Sequence, residues 1–127
     1  MQKQMRGLQE QLATFEAEAL AASAERLPDR ALVVRVMPGL DASALKAQAS
    51  ALAAREGLVA ALFSADTPAL VVVARHASVS VDAGAVVKAL VAAYGGKGGG
   101  RPELAQGGGL AAAPEALVAA ARALLLA

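Results

Sequence analysis

The sequence predicts an α/β protein, in which an N-terminal coiled-coil-like helix is followed by a small mixed β-sheet flanked by helices. Three observations carry this expectation. Apolar residues recur at heptad spacing through the first 22 residues. From residue 31 onward, short β-branched runs alternate with alanine-rich amphipathic segments. Two of those runs, "LVAALF" and "ALVVVAR", are apolar almost throughout, which implies a sheet covered on both faces.

The heptad seam is Met1, Met5, Leu8, Leu12, Phe15, Ala19 and Ala22, with Gln, Lys and Glu between them. One apolar stripe on an otherwise polar helix packs along a partner, so Met5, Leu8, Leu12 and Phe15 are the candidate oligomerisation residues. Three heptads are marginal alone, so this helix is expected to continue upstream or to dock, as in a fragment of a longer chain. "RLPDR" then stops it, because Pro28 disfavours helical backbone at Leu27. Residues 1–27 are accordingly read as a helical oligomerisation segment and residues 28–127 as the globular domain.

"ALVVRV" (31–36) predicts a strand, "MPGL" a turn, and "DASALKAQASALAARE" (41–56) a helix. Asp41 is placed to cap that helix, Leu40 and Leu45 to staple its start, and Gly57 to end it. Leu45, Ala49 and Leu52 form the buried stripe, and Lys46, Gln48 and Arg55 are assigned to the other side. Strands 58–63 and 69–75 follow, joined by the turn-rich "SADTP" as a hairpin. The first strand–helix–strand unit is expected to be a right-handed crossover. Asp82 caps the next helix, with Val86, Val87, Leu90, Val91 and Tyr94 on its apolar face and Gly95 as its stop. In the last helix Pro114 takes the first position, Glu115 faces the positive dipole end, and Leu117, Val118, Ala121, Leu124 and Leu125 are assigned to the buried side. Between these two helices the reading is a loop through Pro102, then a short strand along "ELAQGGG".

Composition narrows the function. The chain of 127 residues is 57% hydrophobic but only 2% aromatic, so no aromatic cofactor cage can be built. It has no cysteine, hence no disulfide and no thiolate site, which fits a cytoplasmic protein. Mean hydropathy is +0.49, yet no apolar run approaches the roughly 20 residues of a membrane span. The start, "MQKQMRGLQEQ", lacks the order of a secretion signal. Net charge is +1, but residues 67–101 hold Arg75, Lys88, Lys97 and Arg101 against Asp82 alone. The positive surplus is therefore local.

That surplus runs into "YGGKGGGRPELAQGGG" (94–109), which holds eight of the twelve glycines. The "RPELAQ" interruption is unlike a flexible spacer. The stretch follows a helix rather than a strand and has no Lys-Ser/Thr pair, so neither a dinucleotide fingerprint nor a Walker loop fits. What remains is backbone able to lie close to a partner, with Lys97 and Arg101 supplying charge: chemistry suited to phosphate or RNA backbone. The candidate RNA-binding residues are Lys97, Gly98, Gly99, Gly100 and Arg101, with Arg75 and Lys88 beside them. For Gly107, Gly108 and Gly109, close packing is an equal reading. Tyr94, on an apolar helix face, is read as a core residue.

"DAGAVVKALVAAYGGKGGGRPELAQGGG" resembles the end of alanyl-tRNA synthetases, whose C-terminal domain carries a helix followed by GGKGGGRPxxAQGG; the preceding strand pattern and heptad helix are also similar. The resemblance implies a non-catalytic DHHA1-type domain that holds the outer corner of alanine-specific tRNA, supports a homodimer, and works beside upstream catalytic and editing domains. It implies no cofactor and no metal in this chain. The alternative is the nucleotide-binding domain of a DHH-type phosphoesterase, in which a GGGHxxAAGG-like motif contacts substrate. Here Arg101 stands at the histidine position and the only histidine is His76, so a metal-dependent hydrolase has no ligands to build on. A serine mechanism using His76 with Ser78 or Ser80 is disfavoured against an ordinary loop role.

Overall fold

A computed structural model describes residues 24–28, 30–37, 41–65 and 69–126. Met5, Leu8, Leu12 and Phe15, and the Leu40 staple, lie outside the described residues. The elements are β1 (Glu25–Arg26), β2 (Ala31–Val36), α1 (Ala42–Ala53), β3 (Leu58–Phe63), β4 (Ala69–Arg75), α2 (Ala83–Tyr94), β5 (Lys97–Gly100), β6 (Leu104–Leu110) and α3 (Pro114–Leu126). The six strands form one mixed sheet in the order β1-β2-β3-β4-β6-β5. β2 and β3 are parallel, joined by the α1 crossover, and every other neighbouring pair is antiparallel.

Strand alternation divides the core into two layers. Val59, Ala61, Phe63, Val71 and Val73 face α2 and α3, meeting Val86, Val87, Leu90, Leu117, Ala121 and Leu125. Val33, Ala60, Leu62, Val72 and Ala74 face α1, meeting Leu45, Ala49 and Leu52. Double coverage is why β3 is buried at all six positions. The β3–β4 connection is tied by Ser64, whose N–H donates to the Leu70 carbonyl at 3.0 Å and whose Oγ accepts the Leu70 N–H at 2.8 Å. Asp41 and Asp82 cap their helices, accepting from the amides of Ala44 (2.8 Å) and Ala85 (3.2 Å).

The structure corrects four sequence expectations. Residues 97–100, expected in a loop, form strand β5 in a hairpin with β6, closed by the Arg101 N–H on the Leu104 carbonyl at 3.0 Å. Glycine's low strand preference hides β5 in the sequence; its pairing and its packing under α2 are tertiary. Glu25 and Arg26, placed at the end of the helical segment, instead pair with Leu32 and Ala31, because the turn at Pro28 folds the chain back beside β2. Gln48, assigned to the exposed side of α1, is 3% exposed: it sits three residues after Leu45 and four before Leu52, on the same stripe. Leu124 is 38% exposed, since α3 buries only the narrower stripe of Leu117, Ala121 and Leu125.

Candidate nucleic-acid interface

β5 is one of the sheet's two edge strands, and three of the four candidate cations surround it. Lys97 begins the strand, is exposed, and lies opposite Gly108. Arg101 follows it on the hairpin turn with 84% of its side chain exposed; its guanidinium lies 4.0 Å from the Glu103 carboxylate, a long and solvent-screened pairing. Four residues of extended chain separate Lys97 from Arg101 by roughly 13 Å at about 3.3 Å per residue. Lys88, exposed on α2, crosses above the strand: its Cε is 3.9 Å from where a Cβ on Gly99 would stand.

Arg75 is placed differently. It ends β4 beside the hairpin turn, with its N–H on the Glu103 carbonyl at 3.0 Å. Its side chain is half-buried, and Nη1 donates to the neighbouring His76 carbonyl at 3.3 Å. The described geometry thus gathers Lys88, Lys97 and Arg101 around one strand and holds Arg75 back against its own strand end.

The glycines between these cations have distinct tasks. Gly98 and Gly107 are paired across the hairpin, and together they form a socket for Val87 of α2. A Cβ on Gly98 would stand 2.7 Å from Val87 Cγ1, 2.7 Å from Gly107 Cα and 2.9 Å from the Gln106 carbonyl. Gly96, at φ +95°, brings its backbone against Gly108, where a Cβ would come within 2.1 Å of the carbonyl oxygen. At the other end of β5, Gly84 in the first turn of α2 packs beneath the Gly100 carbonyl, 3.0 Å from its own would-be Cβ. Gly98 and Gly107 therefore let α2 approach the hairpin closely, while Gly96 and Gly100 let the two strands of the hairpin approach each other. Gly99 is the exception on β5, with open space around it apart from Lys88.

On the α1 side, β6 and β5 extend past the helix and leave a shallow groove of about 260 Å³, lined by Lys97, Gln106, Gly107, Gly108, Leu70 and Ala42 among others. The sequence reading did not single out Gln106. Its signal is the strand period: Gln106 registers opposite Val72 of β4, and it is exposed at the end of the covered sheet.

His76 and Ser78 knit a loop. Ser78 Oγ lies 2.9 Å from His76 Nδ1 and accepts the Gly57 N–H at 2.9 Å, while the Ser78 N–H donates to Nδ1 at 3.0 Å. Among the described residues, no three His, Asp or Glu side chains gather where they could hold a metal ion. No described helix is long and apolar enough to cross a membrane. The surface around β5 can thus attract and position phosphates through exposed cations.

Comparison with known proteins gives this surface a context. The DHHA1 domain family matches residues 29–126. The alanine–tRNA ligase of Thermus thermophilus is 43% identical over 77 residues, covering 61% of this chain and 9% of that protein. Those of Trichodesmium erythraeum and Synechococcus elongatus are 36% and 34% identical over 113 and 128 residues, covering 85% and 94% of this chain. The chain spans only 13% and 15% of the length of these last two relatives. Among solved structures, the C-Ala domain of Aquifex aeolicus alanyl-tRNA synthetase matches with a TM-score of 0.72 at 27% identity, over 82% of this chain and 98% of that one.

Proposed function

This chain belongs to the DHHA1 domain family, in the form similar to the C-Ala domain of alanyl-tRNA synthetase, and from that premise we propose that it binds the outer corner of alanine-specific tRNA. It does so without catalysing a reaction of its own, in the cytoplasm, as the C-terminal part of an alanine–tRNA ligase. The observation that carries the reading is the placement of Lys88, Lys97 and Arg101 around one exposed edge strand. Three long cations on a ridge nearly free of other side chains suit a phosphate backbone recognised by shape and charge. Holding tRNA here raises its effective concentration at the catalytic and editing domains upstream, so a modest local affinity suffices.

The test is tRNA binding by the Lys97→Ala, Arg101→Ala double variant across a salt series. Each lost phosphate contact removes roughly 0.7–0.9 from the log–log slope, so the double variant binds more weakly with a flatter dependence. A folded double variant with unchanged affinity and slope refutes the assignment. The seam of Met5, Leu8, Leu12 and Phe15 adds homodimerisation to the reading. Sedimentation of the chain with and without residues 1–26 checks it: association only in the longer form is expected, and a monomer in both ends the idea.

A further inference from the structure

β1 is a strand of two residues, and strands this short are marginal by themselves. Its backbone pairing is limited to Glu25 opposite Leu32 and Arg26 opposite Ala31. The turn that follows is closed by the Leu27 N–H on the Arg30 carbonyl at 2.7 Å. Leu27 packs, half-buried, against the core layer beneath α2 and α3, and Ala24 against the layer beneath α1. Among the described residues, a further tie comes from α3. Arg122 of α3, 97 positions away, donates from Nε to Glu25 Oε2 at 2.9 Å and from Nη2 to Oε1. Two parallel bonds between a rigid guanidinium fork and a carboxylate fix orientation as well as distance.

We propose that the Glu25–Arg122 pair is a latch that seats β1 on the edge of the sheet and so sets where, and in which direction, the upstream chain joins the globular domain. α3 packs across β2, and β1 lies just beyond β2 at that edge, so an arginine reaching past the edge is placed to hold whatever strand lies there. The hydrogen bond from Arg122 holds the Glu25 carboxyl below its ordinary value, with the charge of Arg122 acting in the same sense. Arg122 is exposed on α3, which makes it a positioning residue with no core role. If the tRNA-binding reading also holds, the latch limits how far that domain swings relative to the rest of the protein, and so preserves its effective concentration. The latch itself does not depend on that reading.

Amide exchange by NMR on the 127-residue chain tests it, with the Leu27 N–H as reporter and the Arg75 N–H, bonded to the Glu103 carbonyl, as control. Arg122→Ala is expected to speed Leu27 exchange roughly two- to five-fold, in line with measured exposed ion pairs, and to leave Arg75 unchanged. The double variant Glu25→Arg, Arg122→Glu is expected to restore the slower exchange. The proposal is overturned if Leu27 exchange is unchanged in Arg122→Ala, if Arg75 accelerates equally, or if the charge swap restores nothing.

Discussion

Gly98→Ala decides whether the glycine stretch exists chiefly for packing or for ligand approach. The added methyl would meet three atoms closer than 3.0 Å. Two of them, Gly107 Cα and the Gln106 carbonyl oxygen, are backbone of the paired strand, and the third is Cγ1 of Val87, itself wholly buried. None can be relieved by rotating a surface side chain. Overpacking of this kind destabilises by about 1–3 kcal/mol, and the entropy removed from the unfolded chain by replacing glycine returns only about 0.4–1 kcal/mol. A net loss of about 1–2 kcal/mol follows, which lowers Tm by roughly 4–8 °C at about 4 °C per kcal/mol. Urea unfolding at 25 °C reads the free energy directly. The cause can be isolated with Val87→Ala, which removes one of the three clashing atoms, so the double variant should lose less stability than the sum of the two single ones. Stability within about 0.5 kcal/mol of the parent refutes the socket, because surface substitutions commonly fall in that range. If the same variant then loses tRNA affinity, Gly98 belongs to the ligand surface instead.

Two further outcomes follow from the core and the edge of the sheet. Leu62→Ala, at a fully buried position of a central strand facing α1, should destabilise by about 2–5 kcal/mol, measured by the same urea titration. The Glu25 carboxyl should titrate below the ordinary 4.5 in the parent and rise toward that value in Arg122→Ala, followed by side-chain carbon NMR. The sign follows from the lowered folded-state value: the pair contributes stability above the unfolded value, near 4.5, and loses it as pH falls through the folded one. A midpoint that Arg122→Ala leaves unmoved would contradict this.

Much of the fold is legible locally. β2, β3 and β4 occupy the residues that their β-branched runs predict, and Asp41 and Asp82 cap where a free first-turn amide needs an acceptor. Burial of β3 and β4 on both faces follows from their lack of polar positions. The likeness to alanyl-tRNA synthetases was also legible, because a glycine pattern this dense is hard to reach by composition alone. The elements that escaped are those whose stability is not local. β1 exists because a proline turn returns two polar residues to an open edge and an arginine 97 positions away holds one of them. β5 exists because β6 pairs with it and α2 lies across it, and four residues reading KGGG carry no strand signal. Gln48 reads as an exposed residue by its polarity, while its spacing from Leu45 and Leu52 puts it on the buried stripe.

The glycine stretch couples the packing of the hairpin to the placement of the cations around it. Val87 packs against the hairpin only because Gly98 and Gly107 present no side chains toward it, and Gly84 of the same helix lies beneath the Gly100 carbonyl. That close approach carries Lys88, one position after Val87 on the same helix, over β5 near Gly99. A bulkier hairpin would push α2 away, and Lys88 with it, while leaving Lys97 and Arg101 where the strand puts them. The packing glycines therefore set the spacing of the cations. Gly99, with room around it, leaves the ridge between Lys97 and Arg101 low, which under the proposed tRNA reading suits a phosphate backbone. The same residues are needed for the fold and for the surface, and a substitution that disturbs the first will reposition the second.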